Sequence, residues 1–146
     1  MSEQNKAIVR RLFEDHWNSK NAALVTELFD PTVSLQTPDG TLTGLDGASS
    51  LLKAYGTAFP DFHLDIDDVL AEGDKVVVRY SFAGTHRGPL ADVPPSGKRM
   101  SVTNGIVIFR VVGGKISEGH FAWDKYDLLQ KIGAIPASLS RSQSSV

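Results

Sequence analysis

The chain has 146 residues, 41% hydrophobic, 22% charged and 8% aromatic, with a formal net charge of −2. That is the size and make-up of one globular domain; it excludes a mostly disordered protein, and without a lysine and arginine block no nucleic-acid partner is expected. There is no cysteine, which removes disulfide scaffolds, thiol nucleophiles and cysteine-bound zinc.

Helical patterns come first in the chain. Ile8, Val9, Leu12, Phe13 and Trp17 recur every three or four residues opposite Lys6, Arg10, Arg11, Glu14 and Asp15, which predicts an amphipathic helix. Asn21 is placed to cap a second short helix carrying Leu24, Val25, Leu28 and Phe29. Asp30-Pro31 is expected to end it, because the residue before proline is pushed out of the α region. A third helix follows Gly44, with Ala48, Leu51, Leu52, Tyr55 and Phe59 on one stripe and Pro60 beyond its end.

The rest predicts strands. Val33–Gln36 is a short one. Phe62, Leu64 and Ile66 alternate with His63, Asp65 and Asp67, and Glu72-Gly73-Asp74 turns the chain into Val76–Thr85. Gly88 to Gly97 is a long hairpin loop, followed by strands Arg99–Val112 and Lys115–Trp123 joined at Gly113-Gly114. A C-terminal helix carries Leu128, Leu129 and Ile132 up to Gly133. Residues 1–137 are expected to form the single domain, and 138–146 a mobile polar tail. The first residues lack the apolar stretch of a signal peptide and no run is long enough to span a membrane, so a cytoplasmic protein without a membrane partner is expected. Helices followed by long antiparallel strands predict an α+β fold: a curved antiparallel sheet wrapped around three N-terminal helices, forming a cone with an internal cavity, with a short C-terminal helix.

Four segments carry a family likeness: Ala7–Phe13 with Trp17-Asn18; Ala58-Phe59-Pro60-Asp61; Gly84–Gly88 with Val93–Lys98; and Phe109-Arg110 through Gly114-Lys115-Ile116 to Leu129–Gly133. Together they resemble the SnoaL-like polyketide cyclase (ester cyclase) family of the nuclear transport factor 2-like superfamily, over roughly residues 4–135. The resemblance implies the cone fold and a homodimer through the outer sheet face. It also implies a hydrophobic small-molecule ligand or substrate, and aldol chemistry by a cavity aspartate with no metal and no cofactor. A carboxylate between apolar walls holds its proton more tightly, which suits it to act as base and then as acid. Aligned on Gly114-Lys115-Ile116, that aspartate falls on Phe121, and the family's pocket glutamine and histidine fall on Gly105 and Val107.

Alternation places Gly119, Phe121 and Trp123 on the cavity face of the last strand, with Glu118, His120 and Ala122 outside. Asp124 reads either as the N-cap of the last helix or as a replacement acid/base at the cavity mouth; His16 and His120 are the further catalytic candidates. His16 follows Leu12 and Phe13 by one helical turn and reads as packing or as cavity-facing. His120 and Arg79 read as an outer-face charged cluster, or as anion binders if the sheet is turned the other way. The expected cavity residues are Trp17, Gln36, Tyr55, Phe59, Ser101, Thr103, Val107, Phe121 and Trp123. Ser101 and Thr103 are placed there because strict alternation puts them on one face with Gly105 and Val107. His86, Arg87 and Pro94–Gly97 are expected to rim the opening. His63, Asp65 and Asp67 read as a solvated or dimer-facing row, not a metal site, and no phosphate loop, nucleophile elbow or HExxH helix is present. Two functions stand: cofactor-independent acid/base chemistry (aldol cyclisation, isomerisation or hydration) on a hydrophobic carbonyl compound, or binding of an apolar small molecule without turnover.

Overall fold

The computed structural model describes residues 2–135; the predicted tail at 138–146 lies outside them. Helix α1 (Ser2–Arg11) runs on without a break into wider π-helical turns over Leu12–Asn18. Val9, Leu12 and Phe13 are buried along one side, while Arg10, Arg11, Glu14 and Asp15 are exposed, as the spacing of apolar residues requires. The second helix is shorter than predicted. A 3₁₀ turn at Ala22–Leu24 leads into a single α turn, α2 (Val25–Leu28), and Asn21 makes no side-chain cap. Phe29 already opens strand β1 (Phe29–Thr37), so Asp30-Pro31 lies within that strand instead of ending a helix. Pairing of β1 with its neighbour is irregular between Phe29 and Ser34, where a residue lacking an N–H is tolerated. Strand β2 (Gly40–Thr43) and helix α3 (Gly44–Ala58) follow.

Strands β3 (His63–Glu72), β4 (Lys75–Thr85), β5 (Arg99–Val112) and β6 (Lys115–Ala122) complete a six-stranded sheet in the order β2-β1-β6-β5-β4-β3, and helix α4 (Lys125–Lys131) closes the chain's order. The fold is the predicted α+β roll, with one difference: β1 runs parallel to β6, and the other pairs are antiparallel. Among the described residues no helix is long and apolar enough to cross a membrane.

One irregularity decides which side chains face the helices. Tyr80 pairs with Gly105 and Phe82 with Val102, so the single residue Ser81 on β4 opposes both Thr103 and Asn104 on β5. Two residues against one is a β-bulge, and Asn104 takes the left-handed conformation (φ 60°) that such a bulge needs. The alternation therefore changes phase: Met100 and Val102 are buried before it, Gly105, Val107 and Phe109 after it. Ser101 and Thr103 consequently face outward and are exposed, contrary to the expectation from strict alternation.

The long loop after β4 is docked on α3. The backbone N–H groups of Arg87 and Gly88 both donate to the Ala58 carbonyl (3.0 and 3.1 Å), which satisfies an acceptor that the helix end leaves open. A side chain at Gly88 would place its Cβ 2.1 Å from the Thr57 carbonyl oxygen. His86 is fully buried against Phe59, with ring centroids 5.5 Å apart, and does not rim an opening. The Ser96 N–H donates to its Nδ1 (3.1 Å), while its Nε2 has no partner among the described residues.

Candidate functional site

Between α1, α3 and the concave face of the sheet lies a cavity of about 60 Å³. Its deep wall is apolar and largely aromatic: Phe13, Phe29, Phe62, Phe82 and Phe109, with Leu12, Leu35 and Leu64. Edge-on packing holds the rings in place, with Phe13 against Tyr80 (centroids 5.5 Å) and Phe82 against Trp123 (5.2 Å). The partly exposed lining residues Trp17, Thr37, Leu51, Phe121 and Trp123, with the exposed Asp39, mark its mouth. Ligand sites for drug-sized molecules measure roughly 300–1,000 Å³, so a ring system of that size enters only as mouth side chains move aside.

Four of the nine residues expected on the cavity lie on its lining: Trp17, Tyr55, Phe121 and Trp123. Phe59 and Val107 are wholly buried but belong to the core behind the lining. Gln36, like Ser101 and Thr103, faces away and is exposed. Val33 and Leu35 take the inner face of β1, so the next residue must point outward.

The three expected acid/base residues are also off the lining. Asp124 is exposed and accepts the Asp127 backbone N–H (2.8 Å) as the N-cap of α4. His120 is exposed on the outer sheet face, beside Ile108 and Gln36 in the strand register. His16 is 1% exposed, and its Nδ1 lies 3.0 Å from the Asn21 carbonyl. Burial lowers its pKa, an effect the contact with Asn21 only partly opposes, so the ring is neutral and Nδ1 carries the proton it donates. Arg79 binds Asp68 from the outer face (Nε to Oδ2, 2.7 Å), and His63 pairs with Asp65 in the open. Among the described residues no three His, Asp or Glu side chains gather to hold a metal ion.

Three polar groups on the lining escaped the sequence reading. Asp39, in the turn between β1 and β2, accepts the Tyr55 hydroxyl through Oδ2 (2.6 Å) and Lys125 Nζ through Oδ1 (2.6 Å). Burial first, and Asp39 second, drive the Tyr55 hydroxyl well above its ordinary pKa, so it stays protonated and donating. Tyr80 is 4% exposed, and burial alone raises its pKa well above the ordinary value. Its hydroxyl makes no hydrogen bond to the described residues, which leaves a donor on the cavity wall. Thr37 adds a hydroxyl near the mouth. The alternation of Val76, Val78, Tyr80 and Phe82 does place Tyr80 inward; no comparable signal marks Asp39, which reads only as a turn residue.

Known proteins share this architecture. A SnoaL-like polyketide cyclase candidate from Jannaschia sp. CCS1 superposes with a TM-score of 0.84 at 26% identity, over 92% of this chain and 95% of that one. AclR, a hydroxylase candidate from Streptomyces galilaeus, gives 0.81 at 25% identity, over 93% and 100%. IdmH, a polyketide cyclase candidate from Streptomyces antibioticus, gives 0.77 at 26% identity, over 89% and 99%. None of the curated proteins matches the chain. Residues 7–132 match the family described as SnoaL-like polyketide cyclase, so the chain belongs to that family.

Proposed function

We propose that the cone takes up a flat, mostly apolar carbonyl compound and performs acid/base chemistry on it, with no cofactor required. The observation that carries this reading is the Tyr80 hydroxyl, a donor on an aromatic cavity wall that makes no hydrogen bond to the described residues and is open to the cavity. An unpaired donor in an apolar cavity favours a ligand oxygen, and favours it more as negative charge develops there. Loss of an acidic proton next to the carbonyl would place such charge on that oxygen, where Tyr80 meets it. Asp39 is the carboxylate on the lining, and it takes the proton on a lone pair that Tyr55 and Lys125 leave free. Asp124 and His120 stand away from the lining, and neutral His16 is turned toward Asn21.

The names of the neighbours support small-molecule chemistry but not one reaction: two are cyclase candidates and one a hydroxylase candidate. A second reading, a binding protein without turnover, is favoured by Phe121. It lies on the lining where the family keeps its aspartate, and packs edge-on against Phe109 (5.5 Å). We assign the homodimer to the outer sheet face, where Ile106, Ile108 and Val112 are 37%, 40% and 50% exposed.

Incubation with 2-tetralone in D₂O, followed by NMR, tests the two readings. Exchange of its acidic ring CH₂ faster than in buffer, cut about 100-fold or more by Tyr80→Phe, is the expected result. Saturable binding without exchange selects the binding protein, and no binding rejects both.

A further inference from the structure

The geometry points to Asp39, held by Tyr55 and Lys125, as a ligand subsite at the cavity mouth that reads a neutral hydrogen-bond donor on the ligand, a phenolic or enolic hydroxyl. It rests on the reading of the cavity as the ligand site and adds which group the ligand presents there.

Each oxygen of a carboxylate has two acceptor directions. In Asp39, Oδ2 uses one for Tyr55 and Oδ1 uses one for Lys125. The capacity left over is acceptor-only, so a ligand carbonyl is repelled there and an O–H is held. Tyr55 is 5% exposed and packed against Phe59, Phe62 and Trp123, which fixes its hydroxyl and, through it, the carboxylate. Lys125 brings α4 to the turn between β1 and β2 and neutralises the Asp39 charge. A pair already balanced in charge has little to gain from an ammonium ligand, which selects a neutral donor. The rest of the lining contributes aromatic and aliphatic surface, so one hydroxyl at the mouth distinguishes ligands of equal apolar area. Tyr80 carries the complementary preference, a donor awaiting an acceptor.

The test uses two probes of nearly equal shape, 2-naphthol and 2-methylnaphthalene, titrated into the full chain by NMR. The wild-type protein is expected to bind 2-naphthol about tenfold more tightly or better, the range for a hydrogen bond to a charged group. Asp39→Ala is expected to reduce that ratio to about twofold or less, with the affinity for 2-methylnaphthalene kept. That retained affinity also reports an intact cavity. A wild-type ratio near one, or a ratio that survives Asp39→Ala, overturns the subsite while apolar binding continues. Failure of both probes to bind overturns the subsite and the ligand-cavity reading together.

Discussion

Gly105 on β5 is the seat of the Tyr80 ring. The two residues face each other across β4 and β5, and a Cβ at Gly105 would lie 2.8 Å from Tyr80 Cζ. The Tyr80 ring therefore rests on bare backbone, and β4 supplies the hydroxyl on this part of the lining. Gly105→Ala must displace a ring that is packed against Phe13 and Phe82. It is expected to destabilise the protein by about 1–3 kcal/mol, the usual cost of overpacking a filled core. A matched loss in the denaturation midpoint, with weaker binding of a cavity ligand, checks it. Gly105 could be aligned from the sequence, but its partner could not. Cross-strand pairs depend on register, and register here passes through a bulge. Phe121 and Trp123 were legible because no irregularity separates them from Gly119. Asp39 was not, because a turn aspartate usually serves its own backbone and nothing local shows that Tyr55 and Lys125 converge on it.

At the scale of the strand, the bulge at Asn104 marks the limit of reading by alternation. A period of two assigns faces correctly along β4, where Val76, Val78, Tyr80 and Phe82 are all buried. On β5 the same rule holds until one residue is inserted, and every side chain before the insertion then changes sides. Ser101 and Thr103 moved to the outer face for this reason alone. The insertion is stabilised by a residue type that accepts the left-handed region, since asparagine and glycine enter it more easily than β-branched residues. Asn104 is exposed and its side chain has only a long contact with Arg79 (3.4 Å), so the conformational term dominates its substitutions. Asn104→Gly is expected to be nearly neutral, whereas Asn104→Val should cost about 1–2 kcal/mol. Chemical denaturation of the two variants measures the difference. Equal stability of both would mean that the bulge does not depend on its residue. The helices divide in a similar way: long amphipathic stripes in α1 and α3 were legible, while α2 is a single turn because the buried Phe29 already belongs to β1.

For the whole molecule, the buried histidines tie stability to pH. Burial lowers the pKa of His16, and the same cause lowers that of His86, from the ordinary value of 6.5. Both are 1% exposed or less, and both are neutral in the folded chain at pH 7. The unfolded chain takes up protons at these residues as pH falls through about 6.5, and the folded chain does so only at lower pH. The unfolded state therefore binds more protons in that window, and stability rises with pH there. It is complete above about pH 7 and declines as pH drops through 6.5 toward the folded values. The slope is at most about 1.4 kcal/mol per pH unit for each histidine. Asp30, Asp61 and Asp74, whose pKa values are lowered mainly by hydrogen bonds from Thr32, Thr85 and Arg110, lose their contribution only at more acidic pH, below their ordinary 3.8. Urea midpoints at pH 7.5 and 5.5 separate the two groups, and His16→Gln should flatten the decline between them. Gln retains an N–H for the Asn21 carbonyl but has no proton to gain. An unchanged slope in that variant would place the decline on His86, where burial opposes protonation independently. Neither histidine lies on the cavity lining, so ligand affinity should stay constant over the pH range in which folding stability falls. That separation distinguishes a fold that loosens on acidification from a site that titrates.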